Sequence, residues 1–401
     1  MESIQSSNAN GANVSYTYDE LNRFTELSTP PIADYKCTLG FTGNRTNATE
    51  LSNRTLAWNF DGIYRLTNET ISGDPANNGG NNGNATYTLD PVGNRTAASS
   101  TFSSFSPGFG NYNPNDQLST ETYDNNGNVL TTGGKTFAYD SENHMTSMTQ
   151  GATVVTMKYD AFGNRVSKTV NGATTTQYLV DDLNPTGYPQ VLDELTNGVM
   201  TRTYTSGLQR ISQDQFVSNA WILSYYQYDG GGSVRQLTSS AGTVTDSYEY
   251  DAFGNSFTKT GSTPNNYLYR GEQYDSDLGL YYLRARYYNP ATGRFLSRDP
   301  LEGKANDPKT LHKYLYAGGN PVNAIDPTGR GSLLQYAFGV SLPTSASFVV
   351  WVAGGACTVR AIVLYFGWAH YTNPVAKALD DATCIIVGVL RLLTGTIPGT
   401  S

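Results

Sequence analysis

A short unit recurs along this chain and narrows its fold more than any other feature: an aromatic residue, then Asp-x-x-Gly-Asn, then a hydrophobic residue or Arg close behind. The clearest copies are Tyr123-Asp124-Asn125-Asn126-Gly127-Asn128-Val129, Tyr159-Asp160-Ala161-Phe162-Gly163-Asn164-Arg165-Val166 and Tyr250-Asp251-Ala252-Phe253-Gly254-Asn255. Looser copies start at Tyr18-Asp19, Phe60-Asp61, Leu89-Asp90, Tyr139-Asp140, Tyr228-Asp229 and Tyr274-Asp275. A fixed internal period decides the architecture before any local propensity does. The aspartates fall 16 residues apart from Asp124 to Asp140 and 20 apart to Asp160; further on they fall 22 apart from Asp229 to Asp251 and 24 apart to Asp275. That is room for one strand, a turn and a second strand.

Each copy therefore reads as a β-hairpin. The Asp side chain can accept a backbone N–H two residues on, Gly takes the φ > 0 position, and Asn tolerates a neighbouring left-handed one. Tyr before the turn and Val, Leu or Arg after it lie on strands, where aromatic and β-branched cross-strand pairs stabilise the sheet. Thr174–Leu179 and Ser224–Tyr228 fit the same reading. Composition agrees: 41 Gly and 29 Tyr in 401 residues, with only 15% charged, suit many short strands and exclude a coiled coil or helical bundle. Isolated hairpins are marginal in water, so a series of them must pair edge to edge into a long sheet that curls. For about residues 12–290 the expectation is a wrapped β-shell; a propeller or sandwich is the competing arrangement, and its blade signatures are not what repeats here. The Asn/Gly stretch Asn77–Asn84 and the Ser/Gly/Phe stretch Ser99–Asn113 read as flexible loops between hairpins.

A formal charge of −8 without any Lys/Arg cluster argues against a nucleic-acid partner. Cys37, Cys357 and Cys384 have spacings that suit neither a disulfide framework nor a CxxC metal site. Residues 1–30 hold no basic segment followed by an apolar stretch, so no signal peptide is expected there and export would need a dedicated route or an upstream segment.

Further along, the residues carry a resemblance. The repeats resemble YD repeats, and residues 274–329 resemble the core-associated region of bacterial Rhs (rearrangement hot spot) proteins. The matching residues are Tyr274-Asp275, the run Gly279-Leu280-Tyr281-Tyr282-Leu283-Arg284-Ala285-Arg286-Tyr287-Tyr288-Asn289-Pro290, Gly293-Arg294-Phe295 and Arg298-Asp299-Pro300. Tyr314, Tyr316, Asn320-Pro321 and Asp326-Pro327-x-Gly329 complete them. Insect toxin-complex C components and animal teneurins are similar. The resemblance covers roughly residues 12–330 and implies an all-β fold: a hollow spiral shell of successive hairpins, closed by the core region around a C-terminal polypeptide. It divides the chain into irregular repeats over 1–120, regular repeats over 121–273, the core over 274–330 and a variable tail over 331–401.

In the bacterial relatives two aspartates, helped by arginine, form an aspartyl-protease-like centre that cuts its own chain just after an Asp-Pro-x-Gly-Leu motif. Carried onto the matching positions, the pair is Asp299 and Asp326, with Arg298 holding a carboxylate ionised or polarising the scissile carbonyl and Arg330 as the cleavage position. Arg294 and Arg286 carry less weight, and Asp307 precedes Pro outside the pattern. The chemistry suits the residues: two close carboxylates do not both ionise, so one keeps a proton while the other can deprotonate water. Two positions depart from the family. Gly303 falls one place late, and Arg330 stands where Leu is usual. The plainer reading is that both Asp-Pro steps cap turns.

After Arg330 the repeats stop. The run Ala346–Ala369 is apolar apart from a few residues such as Arg360, and Cys384–Leu393 is a second apolar stretch; two helices are expected there. One reading is a small membrane-active effector contacting a bilayer through residues 346–369, despite the insertion cost of Arg360; the other is an inert remnant packed in the shell. His370, Cys357 and Cys384 match no zinc pattern, and His144 and His312 read as structural, so neither metal nor cofactor is expected. The Asn-x-Ser/Thr triplets are chance products of an Asn- and Thr-rich repeat.

The expected function is a carrier shell for its own tail, with at most a single-turnover self-cleavage near Arg330. Secretion machinery and an immunity protein would be its partners, and its place would be secreted or on the cell surface. The alternatives are a non-enzymatic adhesion shell with a membrane-anchoring tail, or an inactive truncated copy.

Overall fold

The computed structural model describes residues 3–7, 12–74, 81–102, 107–303, 310–331, 333–336, 340–342, 347–355 and 358–366. The chain divides into two units, Met1–Leu342 and Pro343–Ser401. In the first, nine described strands from Ser3–Ser7 to Arg95–Ser100 follow one another in sequence order in one sheet. Fourteen, from Thr122–Tyr123 to Ser256–Thr260, do the same in a second. Neighbouring strands are antiparallel, so each sheet is an unbroken meander of hairpins.

The repeat builds the turns. At Asp160 one carboxylate oxygen accepts the N–H groups of Phe162 and Asn164, both at 2.9 Å, and the other accepts Nδ2 of Asn164 at 3.1 Å. The backbone closes the same loop, with Asp160 N–H donating to Asn164 O and Gly163 N–H to Asp160 O. Gly163 has φ +81°, where an added Cβ would lie 2.8 Å from His144 Nε2. Asp19, Asp61, Asp90, Asp124, Asp140, Asp229 and Asp251 likewise accept the N–H groups two and four residues on. The Asn of the motif therefore has a different part from the one expected. It stays out of the left-handed region and clasps the Asp, a task that Arg23, Arg65 and His144 perform in looser copies.

Strand faces alternate as a half-buried sheet requires. In Thr153–Tyr159, Val155 and Met157 point inward and Val154, Thr156 and Lys158 outward. Many of the inward residues pack on the core segment. Val129, Phe137, Met145, Met148, Val155 and Met157 pack on Leu278, Leu280, Tyr287 and Leu296 of the core segment. Tyr204, Tyr226, Val234, Leu237 and Tyr248 pack on Tyr267, Tyr281, Tyr288 and Tyr316, and the first sheet reaches Ala252, Phe253 and Val322. Each such side chain is worth about 1.5–3 kcal/mol of burial. The core segment packs as a plug against these described walls.

Three expectations change. Asp275 forms no side-chain cap on its own turn; buried, it pairs with Arg165 and, at 2.9 Å, Lys168, tying the second sheet to the plug. Asn81, expected in a flexible loop, is buried and donates to Glu249 Oε2 at 2.7 Å and Thr258 Oγ1 at 2.8 Å, while Phe102 packs on Phe257. Residues 75–80 and 103–106 of those two loops lie outside the described residues. In the second unit the run expected to be helical forms two antiparallel strands, Ser347–Gly355 and Thr358–Phe366. Its Val, Ile, Phe and Tyr favour strands, and Gly354-Gly355 weakens a helix at its centre. Cys384–Leu393 lies outside the described residues.

Candidate active site

The plug folds back on itself through a four-stranded sheet whose middle hairpin joins Leu280–Leu283 to Arg286–Asn289. Arg286 starts the second strand with its guanidinium buried, and both candidate carboxylates converge on one of its nitrogens. Asp299 Oδ2 lies 2.8 Å from Arg286 Nη2 and Asp326 Oδ2 3.2 Å from it. The same guanidinium donates to Gly329 O through Nε and to Lys313 O at 3.1 Å, and it stacks 3.6 Å from the Phe295 ring centre.

The two carboxylates differ. The Asp326 side chain is 2% exposed, and burial pushes it up to about 6 against the lowering pull of Arg286. Asp299, at 15%, is open enough to meet water. Asp299 also accepts Leu301 N–H at 2.9 Å, the local turn cap that an Asp-Pro step predicts. Asp326 caps its own loop, and Oδ1 accepts the N–H groups of Arg330 and Gly331, each at 3.1 Å. The nitrogen of the Arg330–Gly331 peptide is thus already held by a carboxyl group with a raised pKa. Gly329, at φ +64°, permits this; a Cβ there would sit 2.4 Å from Leu283 O.

Asp299, Asp326 and Arg330 therefore come together, and Arg298 does not join them. It is exposed and makes no ion pair with either aspartate, and its side chain lies against Gly127 on the second sheet. Arg286, given less weight from sequence, takes the central place; its signal was its position at the foot of a tight hairpin. Arg294 is engaged elsewhere, donating to Asn94 Oδ1 at 2.9 Å and to Asp116 O. Asp307, Cys357, Cys384 and His370 lie outside the described residues.

The two described histidines are structural. His144 Nδ1 lies 3.2 Å from Asp140 Oδ2. His312 Nδ1 accepts the N–H groups of Tyr314 and Leu315, Nε2 faces Asn94 Oδ1 at 2.9 Å, and burial lowers its pKa to about 3. No group of three or more His, Cys, Asp or Glu among the described residues is arranged to hold a metal.

Residues 76–322 match the family model described as teneurin YD-shell. Among curated proteins, the chain is 36% identical over 267 residues to the tRNA3(Ser)-specific nuclease WapA of Bacillus spizizenii, covering 61% of this chain and 11% of that protein. It is 35% identical over 257 residues to the tRNA nuclease WapA of Bacillus subtilis, with the same coverage. The chain thus spans about a tenth of the length of these curated relatives. Among solved structures, TcdB2-TccC3 superposes with a TM-score of 0.65 at 19% identity, over 81% of this chain and 19% of that one. The Photorhabdus luminescens Tc holotoxin pore gives 0.64 at 19%, over 82% and 18%. At that identity the likeness concerns the fold.

Proposed function

The chain belongs to the teneurin YD-shell family, and from that premise we propose that residues 12–330 are wall and plug of an Rhs-type toxin carrier that cuts its own chain between Arg330 and Gly331. The observation that carries the reading is the convergence of Asp299 and Asp326 on Arg286, with Asp326 also holding the Gly331 nitrogen. The names of the WapA and toxin-complex relatives support the carrier half of it.

The steps follow from the two environments. Asp299, 2.8 Å from Arg286 Nη2, takes a proton from a water whose oxygen bonds to the Arg330 carbonyl carbon. In the tetrahedral intermediate the Gly331 nitrogen regains its lone pair and accepts the proton of Asp326. The C–N bond breaks, leaving a new C-terminus at Arg330 and a new amine at Gly331. One proton has moved from water to Asp299 and one from Asp326 to the amine, so the centre works once without any cofactor.

The released cargo would be the segment after Arg330, with an immunity protein and a dedicated export route as the partners such cargo requires. No helix among the described residues is long and apolar enough to cross a membrane, which leaves contact through residues 346–369 to be tested directly. Intact mass under denaturing conditions, beside Asp299→Asn and Asp326→Asn, tests the reading. Two fragments meeting at Arg330, abolished by either substitution, are expected. One full-length species in all three chains would refute self-cleavage.

A further inference from the structure

The segment that ends at Arg330 is gripped by one hairpin turn. Leu283 pairs with Arg286, so Arg284 and Ala285 are the two-residue tip, and three successive groups on it bind three successive carbonyls. Arg284 Nη1 donates to Pro327 O, Ala285 N–H to Thr328 O at 3.3 Å, and Arg286 Nε to Gly329 O. Donors and acceptors run in step, so the loop is held in one register ahead of the peptide to be cut.

Arg284 also reaches the wall. Its Nε donates to Pro189 O at 2.9 Å, its guanidinium lies 4.3 Å from the Tyr188 ring centre, and Nη1 is 2.8 Å from Glu272 Oε2. Pro189 and Tyr188 belong to the connection between the wall strands Thr174–Asp181 and Gln190–Thr196. Arg284 itself has φ +61°, a conformation costly for a residue with a Cβ and held by these contacts.

We propose that Arg284 is a positioning residue that joins wall to cleavage loop: it presents the Arg330–Gly331 peptide to the aspartates only when the wall connection around Tyr188 and Pro189 is in place. Self-cleavage then waits on assembly of the second sheet. The inference rests on the self-cleavage reading for its consequence and on the clamp geometry for its premise. Without the wall connection, Arg284 loses one carbonyl acceptor and its stacking ring, and its remaining contacts, Glu272 Oε2 and Pro327 O, both fall on the single nitrogen Nη1. A guanidinium suits the task because its planar fork serves several acceptors at once, where an ammonium is a single mobile point.

The test uses the full chain with Arg284→Gly, Arg284→Lys and Tyr188→Ala. Glycine accepts a left-handed backbone, so Arg284→Gly keeps the hairpin. Self-cleavage is followed by intact mass, and hydrogen exchange of the Arg330 and Gly331 amides is read in an Asp299→Asn background, where the chain stays whole. We expect Arg284→Gly to slow cleavage by about tenfold or more, with smaller slowing in the other two, since small displacements of a reacting group cost this much. The two amides should exchange about tenfold faster while the repeat-turn amides do not change. Cleavage of Arg284→Gly at the wild-type rate overturns the clamp and leaves self-cleavage standing. An uncut wild-type chain refutes self-cleavage; exchange alone then decides the clamp, faster exchange in Arg284→Gly supporting it and unchanged protection overturning it.

Discussion

His312 should make the joint between the first sheet and the plug sensitive to acid. Its ring is buried, with Nδ1 accepting two backbone N–H groups and Nε2–H donating to Asn94 Oδ1, an oxygen that also accepts from Arg294. A proton on Nδ1 would face two donors and remove both bonds. Burial first, then the nearby Arg294, lowers its pKa to about 3, against ~6.5 in the unfolded chain. The unfolded state therefore binds the extra proton below about pH 6.5, while the folded state refuses it down to about 3. Stability from this group is fully present above that window and is lost as pH falls through it. At ~1.36 kcal/mol per unit the loss is about 2 kcal/mol at pH 5. Asp326, Asp251 and Glu69 are pushed up by burial, so their contributions run the other way: present at low pH and lost as pH rises. The difference between wild type and His312→Gln isolates the histidine. Urea midpoints at pH 7.5, 6.5 and 5.0 should show wild type losing about 2 kcal/mol more than the variant. Parallel pH profiles would refute the reasoning.

The turn chemistry predicts that Asp160→Ala destabilises the chain by about 1–2 kcal/mol, since two backbone N–H groups and the Asn164 amide lose their acceptor; a change within error in urea unfolding would deny the carboxylate that part. Gly329→Ala puts a Cβ 2.4 Å from Leu283 O at φ +64° and should cost at least about 1–2 kcal/mol and displace the cleavage loop; intact mass should show no fragments, and normal cutting would contradict the close approach. Asp326 must hold its proton to act as the acid, so the self-cleavage rate should fall as pH rises above about 6; a rate still rising at pH 8 would exclude that assignment. Asp275→Asn leaves the buried Arg165 without its counter-charge and should cost about 3–5 kcal/mol, read as a lowered urea midpoint.

The sequence by itself determined the hairpin series and its turn chemistry. The reason is local: each Asp finds its partners two and four residues on, so a ring of hydrogen bonds closes within one motif wherever the motif occurs. It also marked Asp299 and Asp326, through the resemblance of their Asp-Pro steps to the family's motifs. Tertiary structure alone decided which cation meets them. Arg298 is the neighbour in sequence, yet it lies exposed, and Arg286 arrives from 13 and 40 residues away. The same holds for Asp275, whose partner Arg165 is 110 residues distant. The apolar run after residue 346 could have been helix or strand on hydrophobicity alone, and pairing of Ser347–Gly355 with Thr358–Phe366 made it strand. Short-range chemistry closes within a motif and can be read along the chain. Partners brought together by the stacking of sheets depend on register summed over many strands, and no single motif carries that sum.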